Sequence, residues 1–488
     1  MLSFNFKKIF IAGAVIFSKF ALANSSLSDG DPFPKTKAKA EQSVLFKRVS
    51  DGKVIFARDP QKPLSPASIS KLLIAGTALD KFSPNFQFNT QFFHDGTYSS
   101  GVIKGNLYIK GSGDPMLINE IIWQIAADLK HLGLRQVTGD LIIDDTIFDR
   151  ETFDRSRQSA AGRSRNAYDA PISGFSTNFN TFPIAFAPGQ KGKSGLVNID
   201  PYPFSDLNIV NQTRTVSGTR ANVQAVRATN AGQSKLVASG QIGVKSALKK
   251  LYRSVAYPSL RAGEVVRGFL QHEGIVIKGE VKRRKIAQTA RLLYEKKGFE
   301  LRRMITGLNR YSNNFIADML LKGLAAYHSS SRGLKPASRD EGLQLMTDFL
   351  QKKIGLKGRM QIYNGSGLDT RNRLSAEQMV DFLSYMASRF DLFPDFLASL
   401  PASGWDGTLK KRFQLSGLRE LKGYIRAKTG TLSQPIAVSS LAGYFRHERH
   451  GLIAFAIIEN GVSRQPQPSI ASLRRGQDLA IYNILKRF

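Results

Sequence analysis

The chain has 488 residues, 42% hydrophobic and 10% aromatic, enough for two or three domains with full-sized cores. It contains no cysteine, which excludes a disulfide-stapled fold, a thiolate nucleophile and any Cys-ligated metal. Its 70 Lys and Arg against 38 Asp and Glu give a formal charge of +32, a field that favours polyanions; the basic residues are spread out and form no nucleic-acid motif, so loose association with an anionic wall or membrane surface is expected and nucleic acid is not.

The first 23 residues read as a secretory signal peptide. Lys7 and Lys8 precede the apolar run Ile9–Phe17, and Ala21-Leu22-Ala23 offers small residues for cleavage, so a periplasmic protein starting at Asn24 is expected. Residues 43–58 read as a hairpin around Asp51-Gly52. Then "SPASISKLL" (65–73) opens an apolar stripe, Ile69, Leu72, Leu73 and Leu79, whose spacing predicts a helix over 67–80.

From about residue 88 the texture changes to short strands and turns, such as "GVIKGNLYIKGSGDP" and "VTGDLIIDDTIFD", with one helical stretch at Ile118–Leu132. Residues 150–166 are charged and Ser-rich, a loop, and 168–245 are strand-like. An inserted domain over 88–289 is expected, with a second body formed by 24–87 and 290–488. Helices return from residue 297: "RYSNNFIADMLLKGLAAY", "RDEGLQLMTDFLQKKIG" and "SAEQMVDFLSYMASRF", the last with Ser375 and Gln378 in capping-box spacing. The final hundred residues alternate strands, including "GYIRAKTGTL", and close on the helix "RGQDLAIYNILKRF".

Ser68 and Lys71, one helical turn apart, can meet on one face. A lysine desolvated there loses part of its preference for the charged form and can take a proton from the serine, making it a nucleophile. S-x-x-K also occurs at Ser50–Lys53, in the hairpin, and at Ser246–Lys249. S-x-N occurs at Ser83, Ser164, Ser176 and Ser312, but only Ser312-Asn313-Asn314 starts a long apolar helix, where Ser312 reads as a helix N-cap in the plain structural account. K-[S/T]-G occurs at Lys193 and Lys428, and only Lys428-Thr429-Gly430 follows a strand. In the order Ser-x-x-Lys, Ser-x-Asn, Lys-Thr-Gly, each in its proper local structure, the three are far more specific than any one alone.

With "PASISKLL", "GNLYIKGSGDPML", "YSNNFIADML", "NGSGLD", "LPASGWDGTLKKRF" and "AKTGTLS", the chain resembles the class C low-molecular-mass penicillin-binding proteins of the peptidase S13 family, serine D-alanyl-D-alanine carboxypeptidases and endopeptidases. The resemblance implies an α/β fold with a serine β-lactamase/DD-peptidase-like core, an antiparallel sheet with flanking helices, carrying a large strand-rich insert. It implies Ser68 as nucleophile, Lys71 as its base, Ser312 as proton relay and Asn314 orienting Lys71 and the substrate amide. Lys428, with Thr429 and Gly430, would hold the substrate's terminal carboxylate, and the amides of Ser68 and Thr431 the oxyanion. Substrates would be peptidoglycan stems ending in D-Ala-D-Ala and D-Ala–diaminopimelate cross-links, with β-lactams as covalent inhibitors and no metal or organic cofactor. The family often has Asp in the middle of S-x-N, where this chain has Asn313, and an arginine two residues past Gly-Ser-Gly-Leu, where it has Thr370 followed by Arg371.

A variant phosphate loop, Ala187 to Lys193-Ser194, lacks the following helix that binds phosphate. No G-x-S-x-G elbow supports a triad hydrolase. A β-lactamase or esterase of the same fold, or a catalytically silent wall-binding protein, are the alternatives.

Overall fold

A computed structural model describes residues 31–34, 39–154, 166–202, 207–230 and 233–487; the signal-peptide segment 1–23 lies outside them. The two ends of the chain build one sheet. The expected hairpin is β1 (Ala40–Arg48) and β2 (Val54–Arg58), turned at Asp51, whose carboxylate accepts from the Arg48 guanidinium and the Lys53 amide. Near the C-terminus come β3 (Ile425–Leu432), β4 (Val438–His447) and β5 (Gly451–Gly461), and β5 pairs with β1. The antiparallel order is β3-β4-β5-β1-β2, which leaves β3 on an edge.

Strand residues alternate between two layers. Ala442, Tyr444, Ala456 and Ile458 face a helical layer made of α1 (Lys71–Phe82), α2 (Leu301–Arg310), α3 (Asn314–His328) and α4 (Ala376–Ser388). Leu441, Phe445, Phe455 and Ile457 face the other way, onto Ala480, Ile481 and Ile484 of α5 (Ile470–Arg487). That helix begins earlier than the Arg475 start read from sequence, because the Ser469 hydroxyl accepts from the Ser472 amide at 3.1 Å and opens a further turn. The Ser375–Gln378 capping box is formed at the start of α4.

Between α1 and α2 the described residues form four more sheets and a second core, in which Phe92, Ile109, Ile143, Phe186 and Val266 are buried with the helices Asn119–His131 and Pro258–His272. One five-stranded sheet runs Val281–Arg283, Leu141–Asp144, Leu107–Lys110, Gln87–His94, Arg291–Glu300. Its last two strands pair antiparallel, so the segment leaves and rejoins the helical layer at one place. Residues 297–300, expected to begin the returning helices, belong to that strand. Four of its five charged residues are exposed, Lys296 is half-buried against Asp128, and only Gly298 is fully buried, so it carries no apolar alternation to announce a strand.

Candidate active site

The expected helix over 67–80 is split. Ala67 adopts a left-handed φ of +47°, Ala67–Ser70 form a 3₁₀ turn, and α1 starts at Lys71. Strain of this kind is kept where surrounding structure enforces it. Here Asn460 of β5 clamps the chain two residues earlier, accepting from the Ser65 amide at 2.9 Å and donating to the Ser65 carbonyl at 3.1 Å. The turn aims Ser68 at its partner: Lys71 Nζ donates to Ser68 Oγ at 2.8 Å. Lys71 is fully buried, and Ser68 is 9% exposed.

A third group completes this corner. The carbonyl of Ser366, in "NGSG", accepts from Lys71 Nζ and lies 3.3 Å from Ser68 Oγ. Gly367, at φ +79°, fits here because a Cβ would strike the Ala67 carbonyl at 2.0 Å. Asn364 holds the loop, accepting from the Gly367 amide at 3.0 Å and donating to Asp154 at 2.7 Å.

The other two motifs arrive from different layers. Ser312 sits in the two-helix corner between α2 and α3 with φ +58°. It is not the N-cap; Asn313 is, accepting from the Ile316 amide at 3.1 Å, which leaves the Ser312 hydroxyl for another partner. That partner is Lys428 on β3, whose Nζ donates to Ser312 Oγ at 2.8 Å and to the Thr429 carbonyl at 2.6 Å. Lys428 is fully buried, and burial pulls its pKa down to about 7. The Lys428 ammonium is thus covered by Ser312 and the Thr429 carbonyl. Asn314, expected to turn towards Lys71, donates its amide to the Tyr168 carbonyl at 3.1 Å, across to the inserted segment.

Gly430 brings β3 against the Ser68 turn. A Cβ there would come within 2.7 Å of the Pro66 carbonyl and 3.0 Å of the Ser68 amide nitrogen. The amides of Ile425 and Ala427 point off the edge of the sheet, to Ser403 Oγ at 3.1 Å and the Pro401 carbonyl at 3.2 Å. By the two-residue alternation of an antiparallel strand, the Thr429 and Thr431 amides face the same open edge. The Thr429 hydroxyl bonds Thr408 at 2.8 Å, and the Thr431 hydroxyl donates to the Gly430 carbonyl at 2.8 Å.

The decoys stand apart. Ser50 is exposed at the β1–β2 turn, Lys249 is exposed on a strand of the insert, and Lys193-Ser194 are exposed between two paired strands with no helix after them. Ser164 lies outside the described residues. Arg371 is bound to Asp369 at 2.8 Å and lies over the Tyr363 ring. A cavity of about 700 Å³ opens in the insert beside Asp145, Arg283 and Ser259, but these groups bond one another and none belongs to the Ser–Lys corner.

The model of the D-Ala-D-Ala carboxypeptidase 3 (S13) family matches residues 34–474. A D-alanyl-D-alanine carboxypeptidase of Actinomadura sp. (strain R39) is 27% identical over 439 residues, covering 87% of this chain and 78% of its own. D-alanyl-D-alanine carboxypeptidase DacB of Haemophilus influenzae is 25% identical over 450 residues, covering 92% and 91%. The crystal structure of penicillin binding protein 4 (dacB) from Haemophilus influenzae shares the fold with a TM-score of 0.75 at 23% identity, over 94% of this chain and 98% of that one.

Proposed function

The chain belongs to the D-Ala-D-Ala carboxypeptidase 3 (S13) family, and from that premise we propose how its residues carry out the cleavage. It is a serine-type D-alanyl-D-alanine carboxypeptidase of the penicillin-binding class. The observation that carries the assignment of roles is the buried Lys71 Nζ, 2.8 Å from the Ser68 hydroxyl. Lys71 takes the Ser68 proton as Oγ attacks the carbonyl carbon of the penultimate D-Ala. The oxyanion is received by the amides of Ser68 and Thr431, donors already fixed by the 3₁₀ turn and the strand edge; one such donor is often worth about 3–4 kcal/mol.

As the C–N bond breaks, a proton must reach the departing D-Ala amine. Ser312 relays to it the proton that Lys71 took from Ser68, which leaves Lys71 able to accept again, while Lys428, its pKa lowered to about 7 by burial, holds and polarises the Ser312 hydroxyl. Water then attacks the acyl carbon, its proton passes through Lys71 to Ser68 Oγ as the ester bond breaks, and a stem one D-Ala shorter is freed. Asn314 lines the mouth of the site, and Thr429 and Gly430 shape the strand along which the peptide lies.

The same chemistry applied to D-Ala–diaminopimelate cross-links gives endopeptidase activity. A β-lactam mimics the D-Ala-D-Ala terminus but keeps its leaving group tethered, so acyl-Ser68 accumulates. We place the catalytic body at 24–87 plus 290–488 and the insert at 88–289, supported by two large hydrophobic clusters drawn mostly from one or the other, with Phe148 and Ile172 packed onto Phe315 and Met319 where they meet. Among the described residues no helix is long and apolar enough to cross a membrane; export and cleavage near Ala23 rest on the Lys7-Lys8, apolar-run and Ala21-Leu22-Ala23 pattern of the sequence. The +32 charge favours salt-sensitive attachment to an anionic wall or membrane surface.

The test is labelling with a reporter penicillin. A long-lived label should map to Ser68, vanish in Ser68→Ala, fall strongly in Lys71→Ala, and persist in Ser50→Ala and Ser246→Ala. A folded protein that takes no label would instead be a silent wall-binding protein, and a label lost within seconds would mark a β-lactamase.

A further inference from the structure

The substrate of a carboxypeptidase ends in a carboxylate, and Lys428 is sealed behind Ser312 and Thr429. An anion arriving at the open edge of β3 needs another cation. One is present: Arg474, on α5, donates from its guanidinium to the Thr431 hydroxyl at 2.9 Å. Its side chain is exposed, and among the described residues no carboxylate lies within ion-pair distance of it. It stands there as an open positive charge touching the strand of the Lys-Thr-Gly motif.

The placement is built by packing. Gln477, on the buried face of α5, donates to the Ser439 carbonyl and hydroxyl, both at 3.1 Å, and to Glu459 at 2.9 Å, which pins the helix to β4 and β5. Ser439 is the register partner of Thr431. Arg474 lies three residues before Gln477, almost one helical turn, and a turn advances about as far as one strand separation, so the helix that sets Gln477 on Ser439 sets Arg474 on Thr431. The backbone is fixed too: the Arg474 carbonyl accepts from Arg412 at 3.0 Å, and Arg412 is locked by a buried double contact with Asp478.

We infer that Arg474 is a specificity residue that, with the Thr431 hydroxyl, holds the free C-terminal carboxylate of the substrate. A carboxylate that takes the Thr431 hydroxyl proton in place of the Gly430 carbonyl would lie within about 4–6 Å of the guanidinium, the range in which an opposite charge is strongly felt. The planar fork can then bond it directly, as lysine cannot with the same geometry. Removing Arg474 therefore weakens recognition of acids and leaves the Ser68–Lys71 chemistry in place. The inference rests on the carboxypeptidase reading, and the experiment separates the two.

Wild type, Arg474→Ala, Arg474→Gln and Arg474→Lys are compared on a stem-like peptide ending in D-Ala-D-Ala and on its C-terminal carboxamide, and on acylation by benzylpenicillin and by its methyl ester. Melting temperatures check folding. For the acids, Arg474→Ala and Arg474→Gln should raise KM and slow acylation by about 10- to 100-fold, the scale of a lost hydrogen bond to a charged group, with kcat within a few-fold of wild type. The amide and ester should lose little, and Arg474→Lys should recover part of the difference. Equal losses on acid and neutral ligands, or no loss on either, would overturn the role of Arg474 while wild-type turnover upholds the enzyme. Wild type that releases no D-Ala and takes no penicillin would overturn both.

Discussion

Two buried lysines divide the molecule into a region built for cohesion and one built for chemistry. Lys322 on α3 is sealed between the catalytic body and the insert, where it meets the Asp149 carboxylate and donates to the Glu151 carbonyl at 2.7 Å. Lys428 on β3 is as deeply buried, but its ammonium meets a hydroxyl and a carbonyl, and no carboxylate lies within ion-pair distance of it among the described residues. Burial pulls both lysines below the ordinary range, and at Lys322 the charge of Asp149 works against that pull. A neutralised charge fastens two surfaces together. An unneutralised one keeps its proton loosely, and only such a group can deliver or withdraw charge at a reacting atom.

The largest effect that tests this contrast belongs to Lys428. Lys428→Met keeps the volume and removes the charge, so penicillin acylation and D-Ala release should fall by about 10²–10⁴-fold, the range for loss of proton-transfer assistance. Its melting temperature should stay level or rise, since an unpaired buried charge has been removed. Lys322→Met should do the reverse. It strands Asp149 at the junction, and the cost, about 2–4 kcal/mol, is smaller than for a fully buried pair because the Asp149 side chain is 30% exposed. The fraction that stays folded should acylate at the wild-type rate. A Lys428→Met protein that melts early with normal acylation would erase the distinction.

Much of the candidate site could be read from residue types because side-chain chemistry needs particular side chains. Ser68, Lys71, Ser312 and Lys428 were picked from decoys by local pattern, and they pair as Ser68–Lys71 and Ser312–Lys428. What stayed hidden has no residue signature. The Ser366 partner is a backbone carbonyl, which any residue could supply. The clamp of Asn460 on Ser65 joins positions that only the β5–β1 pairing brings together. Arg474 fell outside the helix as read, because the turn before Arg475 is set by the Ser469 cap and lacks a long apolar period. The reach of Lys428 likewise follows from strand alternation, which sends even-numbered side chains of β3 into the helical layer and odd-numbered ones towards α5. In the insert, parallel pairings such as Leu107–Lys110 with Leu141–Asp144 depend on connections that periodicity does not encode.

The smallest effect extends the comparison to a group of opposite sign. Asp114, in "GSGDP", is buried beside the strand residue Gly298; its Oδ1 accepts from the Met116 amide at 2.7 Å, and Oδ2 has no partner among the described residues. Burial lifts its pKa from 3.8 to about 7. The folded state thus keeps a proton that the unfolded chain gives up above about pH 4, so this group's stabilising contribution is greatest at low pH and is lost as pH rises through 7. Glu459, buried between Gln42 and Gln477 and likewise lifted to about 7, adds a slope of the same sign. Wild type should therefore be more stable at pH 5.5 than at pH 7.5, with Asp114 supplying about 1–2 kcal/mol of the difference. Asp114→Asn, which cannot ionise, should flatten the denaturant-midpoint profile by that amount while the pH profile of penicillin acylation stays as in wild type. Should the acylation profile shift with it, Asp114 would be coupled to the Ser68 corner, and the line drawn between cohesive and reactive buried charges would have to move to include it.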